Sequence, residues 1–258
     1  MEQISTTLLE RSGWLPGLDP FYDLGPPVEI KEFEDPKITV VIPTLNEAKN
    51  IEGVITELHS LGFPEILVID GNSHDETVEV AKALGARVIS QNGRGKGAAL
   101  RQAFDNEGLG DLVIMMDADG SMNPRELSAY MKSLRNGADV VKGSRFMPGG
   151  GSEDMTLLRR IGNSFFVSLF NSLFGADFTD LCYGYAGFKR KALNELRPFL
   201  ESSGFEIETE ILVKAKKLGL RIAEVPSVEL RRKNGKSNLN AVRDGFKILK
   251  TIVQAVYS

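Results

Sequence analysis

The stretch Val113-Ile114-Met115-Met116-Asp117-Ala118-Asp119-Gly120 decides the fold of this chain. Four apolar residues, typical of a buried strand, lead directly into two carboxylates that one small residue separates. Ligands of open α/β sheets bind beyond the carboxyl ends of the strands, so both aspartates are predicted to lie at a functional site. Two neighbouring carboxylates repel each other unless a cation offsets their charge. Mg²⁺ or Mn²⁺ would suit this pair, although an Asp-x-Asp also occurs by chance in ordinary strand-ending turns.

Strands and helices alternate on both sides of this stretch. The apolar runs predicted as strands are Ile38–Ile42, Ile66–Ile69, Val88–Ile89, Leu112–Met116, Val140–Val141 and, late in the chain, Ile222–Leu230. The predicted helices are Glu47–Leu61, Asp75–Leu84, Lys96–Asn106, Pro124–Arg135, Leu157–Phe174, Lys191–Leu196, Ile207–Leu218 and Leu239–Val256. Alternation at this spacing predicts an α/β protein with a mostly parallel, Rossmann-like sheet flanked by helices.

The chain is predicted to have three parts. Residues 1–36 contain five prolines and are expected to form an extended arm. Residues 37–238 are expected to form one α/β domain. Residues 239–258 form an amphipathic C-terminal helix, packed on that domain, on a partner or on a membrane.

Composition excludes several classes of protein. The net charge of −4 over 258 residues argues against a nucleic-acid-binding protein, which would carry a basic stripe. One cysteine, Cys182, cannot form an internal disulfide or a cysteine zinc cluster. No secretory signal and no apolar run of 18 residues is found, so the protein is expected to be soluble and cytoplasmic.

Polar or glycine-rich loops follow four other predicted strands. Pro43–Glu47 and the loop from Asp70 to Asp75 could contact a nucleotide, or could simply cap the next helices. Gly93–Gly97 contains Arg94 and Lys96 and opens a helix whose N-terminus could attract phosphate. After the fifth strand, Gly143–Arg145 ends in an arginine, and Arg159-Arg160 opens a later helix. Such arginines could hold a phosphate or simply be solvated on the surface.

These segments together resemble a known family. They are Val41-Ile42-Pro43-Thr44-Leu45-Asn46-Glu47, Asp70-Gly71-Asn72-Ser73-His74-Asp75, Gly95-Lys96-Gly97, Asp117-Ala118-Asp119, Gly143-Ser144-Arg145, Asp180, Gly184-Tyr185, Gly204-Phe205-Glu206, Glu224-Val225-Pro226 and Arg231-Arg232-Lys233-Asn234-Gly235-Lys236-Ser237. In this order they are similar to the family 2 glycosyltransferases of GT-A fold, especially the dolichol-phosphate mannosyltransferase-like branch. The resemblance extends from about Ile38 to Ile252.

The resemblance implies a nucleotide-diphospho-sugar donor and a divalent metal, Mg²⁺ or Mn²⁺. The residues it implies for the donor nucleotide are Pro43, Leu45, Glu47, Asp70, Lys96 and Ala118. Those for the metal are Asp117, Asp119 and Asn234. Those for phosphate or acceptor are Arg160, Arg232, Lys233, Lys236 and Ser237.

Four positions depart from the family's pattern, and they bear on the substrates. Leu45 stands where Tyr is frequent, and Ser121 replaces a Gln that can assist the metal. Tyr183-Gly184-Tyr185 replaces a Ser-Gly-Phe-like turn, and Asn234 replaces a His. The reaction class is therefore better determined than the identity of either substrate.

The predicted activity is an inverting, metal-dependent transfer of sugar from a UDP- or GDP-linked donor. Asp117, Asp119, Arg145 and Asp180 are the predicted catalytic residues. A polyprenyl phosphate acceptor is already an anion, whereas a sugar hydroxyl would need a base, for which Asp180 is the candidate. The alternatives are a soluble saccharide or small-molecule acceptor, a sugar-1-phosphate nucleotidyltransferase, or an inactive binding protein with this fold.

Two amphipathic helices bear on the acceptor. Leu157–Phe174 is unusually aromatic and begins beside Arg159-Arg160, and the C-terminal helix carries Lys247 and Lys250 among its apolar residues. Both helices could cover the sheet or form a homodimer interface. They could instead lie on the inner face of the cell membrane and admit a lipid phosphate.

Overall fold

A computed structural model describes residues 36–235 and 238–257 of the chain. Seven strands form one sheet in the order β3-β2-β1-β4-β7-β5-β8, and β6 pairs with β9 separately. The strands are β1 (Ile38–Thr44), β2 (Ile66–Asp70), β3 (Arg87–Ser90), β4 (Leu112–Met115), β5 (Val140–Ser144), β6 (Gly151–Ser152), β7 (Ala186–Lys189), β8 (Ile222–Pro226) and β9 (Val228–Glu229). The predicted, mostly parallel α/β sheet is confirmed.

Helices cover both faces of the sheet. They are α1 (Ala48–Ser60), α2 (Thr77–Ala83), α3 (Lys96–Phe104), α4 (Leu127–Arg135), α5 (Leu157–Phe174), α6 (Arg190–Leu196), α7 (Ile207–Lys217) and α8 (Ala241–Tyr257). Alternate residues of β1 divide between the faces: Val40 and Ile42 pack with α1, α2 and α4, while Val41 packs with α3, α6 and α7. Because both faces are covered, the central strands are apolar throughout rather than alternating with polar residues.

The topology places the functional end of the sheet. The chain runs outward from β1 through β2 to β3, and then returns to add β4 on the other side of β1. Val41 lies beside Met115, in parallel register. The connections after β1 and β4 therefore diverge, and they leave a crevice at the carboxyl ends of these two strands. Asp117 and Asp119 follow β4 at this crevice.

Two strand predictions were wrong. The predicted strand Ile222–Leu230 is interrupted after Pro226, so β8 continues the large sheet while β9 pairs with β6. Strand β7 was not predicted at all, and it lies antiparallel between β4 and β5. Its four residues include Gly187, where an added Cβ would lie 2.9 Å from Ile114 Cδ1. A strand this short, with a glycine set by close packing, has no clear periodicity in sequence.

The inner face of α8 packs with α5 and α7, where Ile248 and Ile252 share a buried cluster with Phe170 and Leu212. Among the described residues, no helix combines the length and apolarity needed to cross a bilayer. Nearly all of the predicted N-terminal arm, together with Lys236 and Ser237, lies outside the described residues.

Candidate active site

A cavity of about 900 Å³ opens at the carboxyl ends of the strands. Its walls come from the loops after β1 and β4, the start of α3, the start of α7 and the segment after β9. Pro43, Leu45 and Ala118, predicted for the donor, all line it. The volume is typical of a site that encloses most of a small ligand.

Asp117 shares a buried cation with Glu208. Lys96 Nζ lies 2.6 Å from Asp117 Oδ1 and 2.7 Å from Glu208 Oε1. Burial raises the pKa of Asp117 to about 6, and the charges of Asp119 and Glu208 add to this while Lys96 opposes it. Burial alone would lower the pKa of Lys96, but the two carboxylates outweigh burial and raise it. Lys96 is therefore a permanent ammonium beside the first aspartate.

Asp119 shares a second cation with Glu47. Arg232 Nη2 lies 2.9 Å from Asp119 Oδ2, and its Nη1 lies 2.9 Å from Glu47 Oε1. Glu47 is held in turn by Asn50, whose Nδ2 donates to Glu47 Oε2 at 2.6 Å. The structure thus brings together three predicted residues, Glu47, Asp119 and Arg232, from three separate segments of the chain.

The site fits a divalent cation that also binds substrate. Within the described part of the chain, no three His, Cys, Asp or Glu side chains converge as a metal cluster would. Asp117 and Asp119 offer two carboxylates at the cavity wall. This is the usual protein contribution to Mg²⁺ or Mn²⁺ when waters and phosphates supply the remaining oxygens. These two side chains would hold the ion.

Asp70 lies beneath the cavity wall rather than on it. Its carboxylate accepts hydrogen bonds from Ser73 N at 3.0 Å and Ser73 Oγ at 2.6 Å, and only 3% of the residue is exposed. The loop after β1 contacts the loop after β2 through Asn46, whose Oδ1 accepts a hydrogen bond from His74 N. Gly71 and Asn72, rather than Asp70, line the cavity. Asp70 therefore supports the cavity wall through Ser73 and the following loop rather than lining the cavity itself.

The N-terminus of α3 does not form the expected phosphate site. Gly97 N and Ala98 N both donate to Ser203 O, at 2.9 and 3.3 Å. A Cβ at Gly95 or Gly97 would overlap the backbone of this same loop, so the glycines serve close chain packing. Lys96 and Arg94 line the cavity, but the amides that bind anions at a helix start are already used.

Asp180 and Arg145 form a buried pair outside the cavity lining. Arg145 Nε and Nη2 donate to the two oxygens of Asp180 at 2.7 and 3.0 Å, with side chains 3% and 0% exposed. Burial alone would raise the pKa of Asp180, but Lys142 and Arg145 outweigh burial and lower it. Asp180 is thus fully paired and lies outside the cavity lining, an arrangement that favours a structural role over the predicted one of general base. Arg145 likewise lies outside the cavity lining, and its Nη1 lies 3.2 Å from the carboxylate of Glu229, which does line the cavity.

The predicted phosphate residues divide between several environments. Arg232 lines the cavity, whereas Lys233 and Arg160 are exposed and do not. Arg159, the residue before Arg160, lines the cavity instead, because adjacent side chains on an α-helix point about 100° apart. Asn234, predicted for the metal, lies outside the cavity lining and donates to Lys49 O and Asn50 Oδ1 on α1. Lys236 and Ser237 are outside the described residues.

Sequence reasoning missed Glu208 and Glu229 as cavity residues, and of the pair Arg159-Arg160 it assigned only Arg160 to phosphate. Glu208 is 9% exposed in a helix that is otherwise buried through Val213, and an acid in such a run is a usable signal. Glu229 is an acid at the end of a predicted strand, and it lies 3.2 Å from Arg159 Nη2. Neither pairing can be found from sequence spacing, because the partners are 112 and 70 residues apart.

This mostly parallel sheet, flanked by helices and with two aspartates after β4, is a Rossmann-like α/β fold of the GT-A kind. Solved structures agree: glucosyl-3-phosphoglycerate synthase from Mycobacterium tuberculosis, in complex with UDP, superimposes with a TM-score of 0.69 at 24% identity, over 86% of this chain and 80% of that one.

The chain belongs to glycosyl transferase family 2, whose model matches residues 39–197. It is 38% identical to the glycosyltransferase AglJ of Haloferax volcanii over 81% of this chain and 68% of that protein. It is also 32% identical to a dolichyl-phosphate hexose transferase of the same organism, over 86% of this chain and 94% of that protein.

Proposed function

We propose that the enzyme transfers a sugar, with inversion, from a UDP- or GDP-linked donor to a polyprenyl phosphate. The observation that carries the proposal is the pair Asp117 and Asp119 at the wall of the cavity, each beside a fixed cation. In the reaction the bond from the anomeric carbon to the diphosphate breaks, and a bond to the acceptor oxygen forms. A nucleoside diphosphate leaves.

The residues of the cavity would act on the leaving diphosphate. When bound at Asp117 and Asp119, Mg²⁺ or Mn²⁺ supplies positive charge that stabilises the departing diphosphate. Lys96 adds a fixed ammonium there, and preorganised charges of this kind lower a barrier because they need not reorganise. Arg94 and Arg231 line the cavity and make no ion pair with other described residues, so both are available to phosphate.

A phosphate acceptor agrees with the state of Asp180. A phosphate oxygen is already an anion and needs no base, whereas a sugar hydroxyl does. The carboxylate predicted for that task is buried and fully paired with Arg145. The named activity of the dolichyl-phosphate hexose transferase relative also favours a lipid phosphate.

The test is a two-product assay with UDP- and GDP-sugars, a short polyprenyl phosphate in detergent, and Mn²⁺. Free nucleoside diphosphate and a lipid-linked sugar should appear together, and Asp119→Asn should abolish both. Asp177→Asn, which changes an exposed acid elsewhere, is the matched control and should keep full activity. Release of pyrophosphate would identify a nucleotidyltransferase instead. Nucleoside diphosphate released only with a soluble acceptor would overturn the lipid assignment.

The acceptor proposal extends to a lipid surface on α5 and α8. The apolar side chains left exposed on these two packed helices are Leu157, Leu158, Ile161, Phe165, Leu173, Val242, Phe246, Val253, Val256 and Tyr257. Helix α5 contains no acid, and the single acid of α8, Asp244, is buried and paired with Arg243. Arg160 and Lys250 are exposed among the apolar residues. Apolar side chains with interspersed cations suit an anionic bilayer.

Flotation with phosphatidylglycerol-containing vesicles tests this surface. The native chain should float, and the double variant Phe165→Ser with Phe246→Ser should remain in the dense fraction. Both side chains are more than half exposed, so their replacement leaves the core intact. Phe199→Ser removes an exposed phenylalanine elsewhere and should still float. A native chain that fails to float but dimerises through this face would show a protein interface instead.

A further inference from the structure

Both aspartates of the site share their cation with a glutamate. Lys96 lies between Asp117 and Glu208, and the two N–O distances are 2.6 and 2.7 Å. Arg232 joins Asp119 and Glu47 in the same way, at 2.9 Å on each side. The four carboxylates come from three different segments of the chain, the loop after β1, the loop after β4 and helix α7, so the repeated arrangement is made only by the fold.

The glutamates are fixed more firmly than an accidental contact requires. Glu47 receives Asn50 Nδ2 on its second oxygen, and its own amide donates to Thr77 Oγ1 at 2.8 Å. Glu208 projects from the buried start of α7 into space that a Cβ at Gly184 would occupy. Both glutamates are less than a tenth exposed, so an ion pair to either is weakly screened by solvent.

The carboxylates of this group outnumber its cations. Four carboxylates and two cations carry a net charge of −2, which one divalent ion balances. A divalent ion at Asp117 and Asp119 would repel the neighbouring Lys96 and Arg232, and would compete with them directly if it bound Asp117 Oδ1 or Asp119 Oδ2. The competition costs less when each displaced cation retains a second, prepositioned carboxylate, since a buried charge without a partner is strongly unfavourable.

We propose that Glu208 and Glu47 are positioning residues that hold Lys96 and Arg232 beside the donor diphosphate once the metal occupies the aspartates. The inference rests on the proposed function and deepens it, because it assigns a role to two cavity carboxylates that would act through Lys96 and Arg232. It also implies an order. Mn²⁺ alone should bind weakly, because Asp117 and Asp119 are already paired with Lys96 and Arg232. Mn²⁺ with a nucleotide should bind more tightly, because the phosphates offer Lys96 and Arg232 a new negatively charged partner.

The test is a double-mutant cycle read by calorimetric binding of Mn²⁺, with and without UDP or GDP. Glu208→Gln should weaken Mn²⁺–nucleotide binding about fivefold or more, and should have little further effect when Lys96→Met is already present. Glu47→Gln and Arg232→Met form a second cycle on a more exposed ion pair. Glu47→Gln should also weaken Mn²⁺–nucleotide binding, and should have little further effect when Arg232→Met is already present. Asp154→Asn, which removes a cavity carboxylate paired only with Arg159, controls for simple loss of charge.

The outcomes separate the positioning role from the proposed function. Suppose the native protein binds Mn²⁺ with nucleotide. If Glu208→Gln weakens that binding equally in the native and Lys96→Met backgrounds, and Glu47→Gln equally in the native and Arg232→Met backgrounds, the glutamates do not act through Lys96 and Arg232. An equal loss in Asp154→Asn would likewise reduce the effect to total charge. If the native protein binds neither UDP nor GDP with Mn²⁺, the proposed function fails, and the positioning role fails with it.

Discussion

Replacing Asp180 with Asn distinguishes a structural carboxylate from a catalytic one. Asn has nearly the same volume, so the change removes charge and one acceptor oxygen without leaving a cavity. Asp180 accepts Arg145 Nε and Nη2 on its two oxygens, and Lys142 Nζ lies 4.0 Å away. In the variant Arg145 retains Glu229, 3.2 Å away, whereas Lys142 Nζ retains its hydrogen bond to Gly143 O at 3.0 Å.

The expected loss of folding stability is large, because the charges of Lys142, Arg145 and Asp180 are shielded from solvent. The side chains of Lys142, Arg145 and Asp180 are 2%, 3% and 0% exposed. Removing one member of a buried ion pair costs about 3–5 kcal/mol. For a chain of this size each kcal/mol lowers Tm by about 2–4 °C, so Tm should fall by about 6–20 °C.

The assay is urea unfolding at pH 7, followed by circular dichroism, with Asp177→Asn as the matched control. Asp177 is exposed on the same connection, so its variant should stay within about 0.5 kcal/mol of the native protein. If Asp180→Asn unfolds within about 1 kcal/mol of the native protein and yet loses turnover, Asp180 acts chemically. The structural assignment would then be wrong.

Two further predictions concern the turn below the cavity. Gly184→Ala places a methyl group 2.6 Å from Lys96 Nζ and in overlap with the Glu208 carboxylate, so it should separate this ion pair. Calorimetry should then show Mn²⁺-dependent nucleotide binding weakened about tenfold, at a stability cost of about 1–3 kcal/mol, whereas Gly162→Ala has open space and should leave binding unchanged. Burial, with the charges of Asp180 and Glu208, raises the pKa of the Cys182 thiol to about 12, which leaves about 10⁻⁴ thiolate at pH 8. Ellman's reagent should therefore react about 10³ times more slowly than with a free thiol, and a fast reaction of the native protein would contradict this environment.

Much of the fold could be predicted from local pattern. The apolar runs Ile66–Ile69 and Leu112–Met116 are within a residue of β2 and β4, and the predicted helix Leu157–Phe174 coincides with α5. Long, buried, β-branched runs and long amphipathic helices carry strong periodicity. The short antiparallel strand β7 carries none, because packing against β4 and β5 decides its conformation.

The candidate site was less completely predictable. Asp117, Asp119 and Lys96 were found because each directly follows a strand or opens a helix, and strand ends meet at one edge of a parallel sheet. The burial of Asp180 and its pairing with Arg145 could not be predicted, because a carboxylate's surroundings are invisible in the sequence. For the same reason the sequence led to Arg160 as the residue for phosphate or acceptor, whereas Arg159 lines the cavity.

Local sequence pattern was enough to predict most strands and helices, the aspartates after β4 and the resemblance to the family. The tertiary structure alone decided which charges meet: Glu208 with Lys96, Arg232 with Asp119 and Glu47, and Asp180 with Arg145. Periodicity and strand ends are local properties, which follow from backbone geometry over a few residues. An ion pair depends on distances between segments that are far apart in the chain, and only the packed sheet and its helices set those distances.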